Sequence, residues 1–413
     1  MNPKDKQTLQ DLAKRYSELA ALPVQAERRN RARDINDLRP RKPIVWLDEI
    51  PWHEMDIDGK LKLTCQDELA RQAEWFFRVT LFRWEYIQAD MVAEPYYPVW
   101  KAYTVSSMGI DIREHQLATD DENHIVSHSY HDQLDTMEKV AALREPLVTA
   151  DAGLDARRME LAEDLFGGIL PARLRGHYYY HAPWDVIPRY RGVMPIMLDL
   201  IDRPELLHAT IRKFTDYGLS VMKQMEGLAL LDSDVPSLHC TPGYVSGLAP
   251  SEGEPHTLKN MWFRTMAQMF TEISPGMTDE FDLQYSKPLA AECGYTYYGC
   301  CEALDNKIDL IKRAYPNLRK LGVPPRANVE ACAEQIRGDY VYAHKPNPAH
   351  VSGTFDAEIV RSEIKRVVEA CEKNGCAYEF VLKDISTVGY KPQNLINWVK
   401  TVMETVEENS AHV

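Results

Sequence analysis

Gly294-Tyr295-Thr296-Tyr297-Tyr298-Gly299-Cys300-Cys301-Glu302 is the stretch on which the fold turns. Aromatic and β-branched residues closed by a glycine are strand material. Two adjacent thiols and a carboxylate follow, and then an apolar helical pattern from Leu304 to Ala314. Strand side chains alternate between faces. Tyr298, Cys300 and Glu302 are therefore expected on one face and Cys301 on the other. A free Cys is often only a small buried residue. Here the two thiols sit where a strand hands over to a helix, and this pattern repeats downstream.

From this stretch onward the alternation is regular. A strand over 318–323 precedes a helix over 328–337 with Asn328 as cap. Another strand over 340–343 ends in His344-Lys345-Pro346. The helix over 356–374 gathers Ile359, Val360, Ile364, Val367, Val368 and Cys371 on one side and stops at Gly375. A strand over 377–382 runs into Lys383-Asp384, and a last helix covers roughly 392–407. Repeated strand–helix units with short loops imply a parallel sheet. The chain has no GxGxxG fingerprint and no P-loop, so the fold expected is an α/β, TIM-type (β/α)8 barrel with an N-terminal helical extension. The expected division is a helical layer over 1–40 and a single barrel over 41–410.

Upstream, residues 4–38 contain no glycine and read as two exposed helices divided at Pro23. Ile44-Val45-Trp46-Leu47 reads as a short buried strand that runs into Asp48-Glu49. The aromatics of 64–88 at helical spacing read as core. Met91 to Glu94 reads as a strand with Glu94 at its end, facing a cleft. Four histidines among acids (His115, Asp120, Asp121, Glu122, His124, His128, His131) lack a familiar ligand spacing and read as a surface excursion. Residues 135–166 read as helix. Pro204 and Gly227 bracket a strong helix. Ser237-Leu238-His239-Cys240-Thr241-Pro242-Gly243 is a second thiol-bearing turn, which binds a metal only if its backbone brings His239 and Cys240 inward.

Of 413 residues, 45% are hydrophobic and 27% charged, with a net charge of −14. That acidity argues against nucleic-acid binding, which rests on Lys and Arg neutralising phosphates. No stretch approaches the length of a membrane span and no secretory leader is read at the start, so a cytoplasmic protein is expected. Eight unevenly spread cysteines in such a chain suggest metal, redox or burial rather than a disulfide scaffold.

Three strand ends carry polar groups: Cys300 with Glu302, then His344, then Lys383 with Asp384. On a barrel these converge at one rim. Thiolate, imidazole and carboxylate together are zinc-ligand chemistry, and a catalytic zinc keeps one exchangeable position. Cys300, Glu302, His344 and His239 are the expected metal ligands, and Glu94, Tyr298 and Asp384 the expected catalytic groups.

The run Ser274-Pro275, Asp279-Glu280-Phe281 and Tyr285-Ser286-Lys287-Pro288-Leu289, followed by the Gly-aromatic strand and its Cys-bearing turn, resembles the uroporphyrinogen decarboxylase superfamily. The tail Asp384 and Lys391-Pro392-Gln393-Asn394-Leu395 resembles it too. The resemblance is best over about 190–405 and implies a TIM-type barrel. The cobalamin-dependent methyltransferase branch fits best. Its zinc members carry His-x-Cys-Gly where this chain has Tyr298-Gly299-Cys300-Cys301, so Cys300 matches the ligand Cys and Tyr298 replaces the His. The family's last Cys ligand falls near Lys383-Asp384 and is absent. Glu302, His344, His239 or Asp384 would then complete a zinc site. No Asp-x-His-x-x-Gly signature is present, so the resemblance implies that a corrinoid arrives on a partner protein. The implied reaction moves a methyl group between a small methylated compound or thiol and that corrinoid. The branch also allows a homodimer. A decarboxylase acting on a tetrapyrrole without cofactor is the alternative, with Asp48 or a rim acid as proton donor. Its arginine clamp is replaced here by Leu47-Asp48-Glu49-Ile50-Pro51-Trp52. A third alternative is a barrel without catalysis that serves as a binding protein.

Overall fold

The computed structural model describes residues 1–118 and 126–410. Asp120, Asp121, Glu122 and His124 of the acidic, His-rich stretch lie outside the described residues. Six strands form one parallel sheet: β1 Ile44–Leu47, β2 Trp262–Thr265, β3 Tyr295–Tyr298, β4 Leu318–Val323, β5 Val341–His344 and β6 Ala377–Leu382. Their order is β1-β6-β5-β4-β3-β2, and all five pairings are parallel. Beyond β2 a parallel bridge joins Tyr180 to Arg264, and beyond β1 the Asp90 N–H donates to the Val45 carbonyl. The structure therefore gives a mixed α/β fold around a parallel six-stranded sheet.

The helices used below are α1 Pro3–Ala20, α2 Pro23–Asn36, α3 Glu68–Phe82, α4 Pro204–Gly227, α5 Ile308–Ala314, α6 Val329–Ile336, α7 Ala357–Asn374 and α8 Pro392–Asn409. Local chemistry explains α7 well. Asp356 caps its first turn, and Gly375 ends it in the left-handed conformation that glycine adopts without strain. Val360, Ile364, Val367, Val368 and Cys371 recur at helical spacing and are all buried. Each such aliphatic side chain is worth roughly 1.5–3 kcal/mol on burial.

The sheet buries both faces, as parallel sheets do. Val45, Leu47, Leu321, Val323, Tyr342, Phe380 and Leu382 pack with residues of α5 to α8. The alternate residues Ile44, Trp46, Val341, Ala377 and Val381 pack instead on Cys240 and Tyr244. The segment carrying Cys240 is thus enclosed by the face turned away from those helices.

Two expectations are corrected. Residues 135–166 are not one helix but Met137–Ala141, strand Val148–Ala150 and helix Ala152–Phe166. Pro146 and the β-branched pair Val148-Thr149 interrupt the pattern, and Asp151 caps a fresh start. Met91 to Glu94 is irregular, with the Ala93 N–H donated to the Gln25 side chain of α2, and the strand there is Tyr97–Trp100. No helix among the described residues is long and apolar enough to cross a membrane.

Candidate metal centre

Ser237–Leu238 and Thr241–Pro242 pair antiparallel, leaving His239 and Cys240 as the two-residue tip of a tight hairpin. Both tip residues have positive φ, 36° and 75°. A two-residue hairpin loop favours such a conformation and normally places Asn-Gly there. A non-glycine residue in this region costs roughly 1–3 kcal/mol. Strain of that size persists only where the surroundings impose it. Here the Tyr178 hydroxyl accepts the His239 N–H at 2.9 Å, and the Asn36 amide of α2 donates to the Pro242 and Tyr244 carbonyls. Lys320 of β4 donates to the Thr241 hydroxyl, the Pro242 carbonyl and Glu379 of β6.

The tip meets the residues that follow three strands. Glu49 comes just after β1, the Gly299–Glu302 turn after β3, and Lys383-Asp384 after β6. Glu49 and Asp384 also have positive φ. The Glu49 carboxylate, a His239 ring nitrogen and the Cys240 sulfur lie within 4.8 Å of one another. Asp384 accepts a hydrogen bond from the Cys301 thiol at 3.1 Å and pairs with Lys383 at 2.8 Å, and its N–H donates to Glu49. Cys301 and Cys300 sulfurs are 3.8 Å apart. Tyr180 reaches His239 Nε2 with its hydroxyl at 3.5 Å and packs on Cys300 with Ala182 and Met266.

The electrostatics favour anionic sulfur at Cys300. The adjoining Cys301 thiol contributes most, and the His239 ring and the positive charges of Arg264 and Lys383 add to this. Together they hold Cys300 well below the ordinary thiol range despite its burial. Burial pushes the Cys240 thiol up, with Lys383 and Lys345 opposing. Burial also raises the Glu49 carboxyl, again against Lys383. For Asp384, burial works against ionisation but Lys383 and the Cys301 thiol outweigh it and keep the carboxyl low. Arg264 and Lys345 are fully buried beneath this mouth. Arg264 lies 3.9 Å from the Tyr297 ring centroid.

Of the residues expected from sequence, Cys300, His239 and Asp384 come together. Glu302 lies beneath them, buried, where it accepts the N–H groups of Cys300 and Ala267 and ties the turns after β3 and β2 together. Its burial, with the Cys300 charge next, lifts its carboxyl to about 7. Tyr298 and His344 lie on the helix-packed side: Tyr298 donates to Asp282 at 2.8 Å, and His344 sits 3.5 Å from Glu363 of α7. Glu94 forms an ion pair with Arg29 of α2 and accepts from the Tyr244 hydroxyl at 2.6 Å. The expected alternation past Tyr298 is corrected as well. β3 ends there, and Gly299 at φ 92° reorients the turn so that Cys301, not Glu302, reaches Asp384.

Sequence reasoning left Glu49, Cys240, Cys301 and Tyr180 out of the site. The signal for Cys240 was its adjacency to His239 in a Thr-Pro-Gly turn. For Glu49 it was an acid just past a buried strand. Nothing local marked Tyr180.

No family model matches the chain, and no curated protein matches it. Among solved structures it is similar to a methyltransferase from Methanosarcina mazei, with 12% identity, a TM-score of 0.51, and 92% of this chain and 98% of that chain covered. At this identity the likeness shows the fold alone.

Proposed function

We propose that the chain is the methyltransferase component of a corrinoid system. It would move a methyl group between a small methylated compound or thiol and a corrinoid carried by a partner protein. In this reading the six parallel strands are part of a (β/α)8 barrel of the uroporphyrinogen decarboxylase superfamily. The segments holding Asp90 and Tyr180 would continue the sheet toward closure. The fold likeness to a protein named a methyltransferase supports the reaction class.

The observation that carries the proposal is the carboxylate, imidazole and thiol of Glu49, His239 and Cys240 within 4.8 Å, with Cys300 beside His239. Sulfur, nitrogen and oxygen donors in this combination suit zinc, and three protein ligands leave a position for substrate. Glu49, His239 and Cys240 would hold the ion, with Cys300 as the alternative sulfur. A zinc ion bound there supplies Lewis acidity to a substrate oxygen or sulfur. The chain's own groups do the rest. Lys383 screens the clustered anions, Asp384 accepts the hydrogen bond of the Cys301 thiol, and the buried Arg264 and Lys345 keep the Cys300 environment electropositive. Tyr180 places a hydroxyl beside His239, where it can donate to a substrate oxygen.

The test is to mix the purified protein with methylcob(III)alamin and a thiol, or with cob(I)alamin and methylated donors, and to follow the cobalamin absorption spectrum. Spectral conversion that needs the protein and fails in His239→Ala supports the reading. A spectrum unchanged with every donor and thiol contradicts it.

A further inference from the structure

Cys301 is a thiol for which the proposed centre has no use. Of the eight cysteines it alone is not buried. Its sulfur lies 3.8 Å from that of Cys300, and its thiol donates to the Asp384 carboxylate at 3.1 Å. The Asp384 side chain is 47% exposed, so the pair opens to solvent on the Cys301 side. Cys300 is sealed on its other side by Tyr180, Ala182 and Met266. An oxidant in solution therefore meets Cys301 first and finds a second sulfur directly behind it. Access of this kind separates reactive cysteines from inert buried ones.

The backbone decides which sulfur can move and what bond would result. A disulfide holds its sulfurs about 2.05 Å apart, so closure must draw this pair together. Cys300 has little freedom. It is fully buried, and Glu302 accepts its N–H at 2.9 Å. Strand β4 closes on the turn as well, since a Cβ on Gly322 would stand 3.1 Å from the Cys300 nitrogen. Cys301 sits in the irregular turn between β3 and α5, so the movement falls on it and takes its sulfur off Asp384. Adjacent Cα atoms lie about 3.8 Å apart across a trans peptide, below the ~4.4–6.8 Å that relaxed disulfides span. A bond closed there is strained and readily reduced, which is the character of regulatory rather than structural disulfides.

We propose that Cys300 and Cys301 close into a vicinal disulfide in the presence of a small-molecule disulfide, and that this closure reversibly disables the centre. The Cys301 sulfur attacks the oxidant RSSR, which gives a mixed disulfide and one RSH. The Cys300 sulfur then attacks Cys301 and displaces the second RSH. Two thiols of the chain are oxidised, the S–S bond of the oxidant is reduced, and the two thiol protons leave on the two RSH molecules. A reducing dithiol reverses both steps. In the closed form Cys300 no longer offers a free sulfur beside His239, and Asp384 loses the hydrogen bond of Cys301. That closure stops methyl transfer rests on the proposed function, whereas closure itself does not.

The test is to incubate the full chain with oxidised glutathione, alkylate the remaining thiols in denaturant and map the peptides by mass spectrometry. Loss of two hydrogens confined to Cys300-Cys301, with the other six cysteines alkylated and the pair restored by dithiothreitol, is the expected result. Cys300→Ser should stop at one glutathione on Cys301, and Cys301→Ser should take up none. Methyl transfer from methylcob(III)alamin should fall at least tenfold on closure and return after reduction. Thiols that all stay reduced, glutathione left on Cys301 of the parent without closure, preferential oxidation of another cysteine, or an unchanged rate in the closed form overturns the inference. A pair that closes and reopens in a protein that moves no methyl when reduced sustains the closure and contradicts the proposed function, so the two failures are distinguishable.

Discussion

Replacing Glu379 by Gln should unpin the hairpin that carries His239 and Cys240. Lys320 is fully buried and its ammonium sits 2.8 Å from the Glu379 carboxylate, its only acidic partner among the described residues. The same ammonium donates to Thr241 at 3.1 Å and to the Pro242 carbonyl at 3.3 Å. The Thr241 hydroxyl in turn donates to Glu379. Burial already drags Lys320 down to about 8, with Glu379 opposing the fall. The amide keeps the volume but removes the counter-charge. Breaking a buried pair in this way costs about 3–5 kcal/mol. The loss is capped because an unpaired buried lysine can shed its proton, such groups titrating as low as ~5–6. The sign follows. In the variant the unfolded chain binds this proton up to a pH of about 10.4 and the folded chain does not, so its stability rises with pH through neutrality. Lys320→Met with Glu379→Leu removes both charges and should cost less than Glu379→Gln alone, yet still loosen the hairpin because Thr241 loses both partners. Urea denaturation of the parent, Glu379→Gln and the double variant at pH 6 and pH 9 measures the two costs. A Glu379→Gln cost under about 1 kcal/mol, or one that does not shrink at pH 9, would refute the reasoning, since a buried charge left alone cannot be that cheap.

Asp282 is buried, accepts from Tyr298, and is lifted by that burial from 3.8 to about 7. The folded chain holds this proton over a window where the unfolded chain has lost it. Its contribution therefore falls by ~1.4 kcal/mol per pH unit from about pH 4 to 7. Asp282→Asn keeps the acceptor for Tyr298 and should be more stable than the parent at pH 8, with the advantage gone by pH 4; equal pH slopes in urea titrations would contradict this. Gly299→Ala should destabilise by about 1–3 kcal/mol and disturb Cys300. Its φ is 92° and an added Cβ would lie 2.6 Å from Leu304 Cδ1 and 3.2 Å from the Gly322 carbonyl. Thermal melts and the rate of thiol alkylation read both effects, and an unperturbed Gly299→Ala protein would show that the turn tolerates a side chain.

The C-terminal half was legible because local signals there agree with one another. β4 and β6 start and end where the pattern placed them, and α7 falls one residue inside the expected start. Cap, period and stop all point to the same elements. The site was less legible, and the reasons are geometric. A strand-end residue faces the mouth or the helices according to a period of two, and a one-residue slip exchanges them. His344 therefore turns to α7, whereas Lys345 beside it is buried with Arg264 around the Tyr297 ring. Glu94 looked free because its partner Arg29 lies in a helix 65 positions earlier in the chain. His239-Cys240 looked weak because a sequence does not display positive φ. The left-handed tip that brings both side chains to the mouth is imposed by Tyr178, Asn36 and Lys320, residues far apart in the chain.

The most direct measurement is the metal content of protein purified without chelator, by elemental analysis, for the parent and for His239→Ala, Cys240→Ser and Cys300→Ala at matched folding. Zinc near one per chain in the parent, lost in His239→Ala and Cys240→Ser, is the expected result. A folded parent with no metal after zinc loading, or zinc unchanged by both substitutions, would contradict the centre on which the proposed chemistry rests.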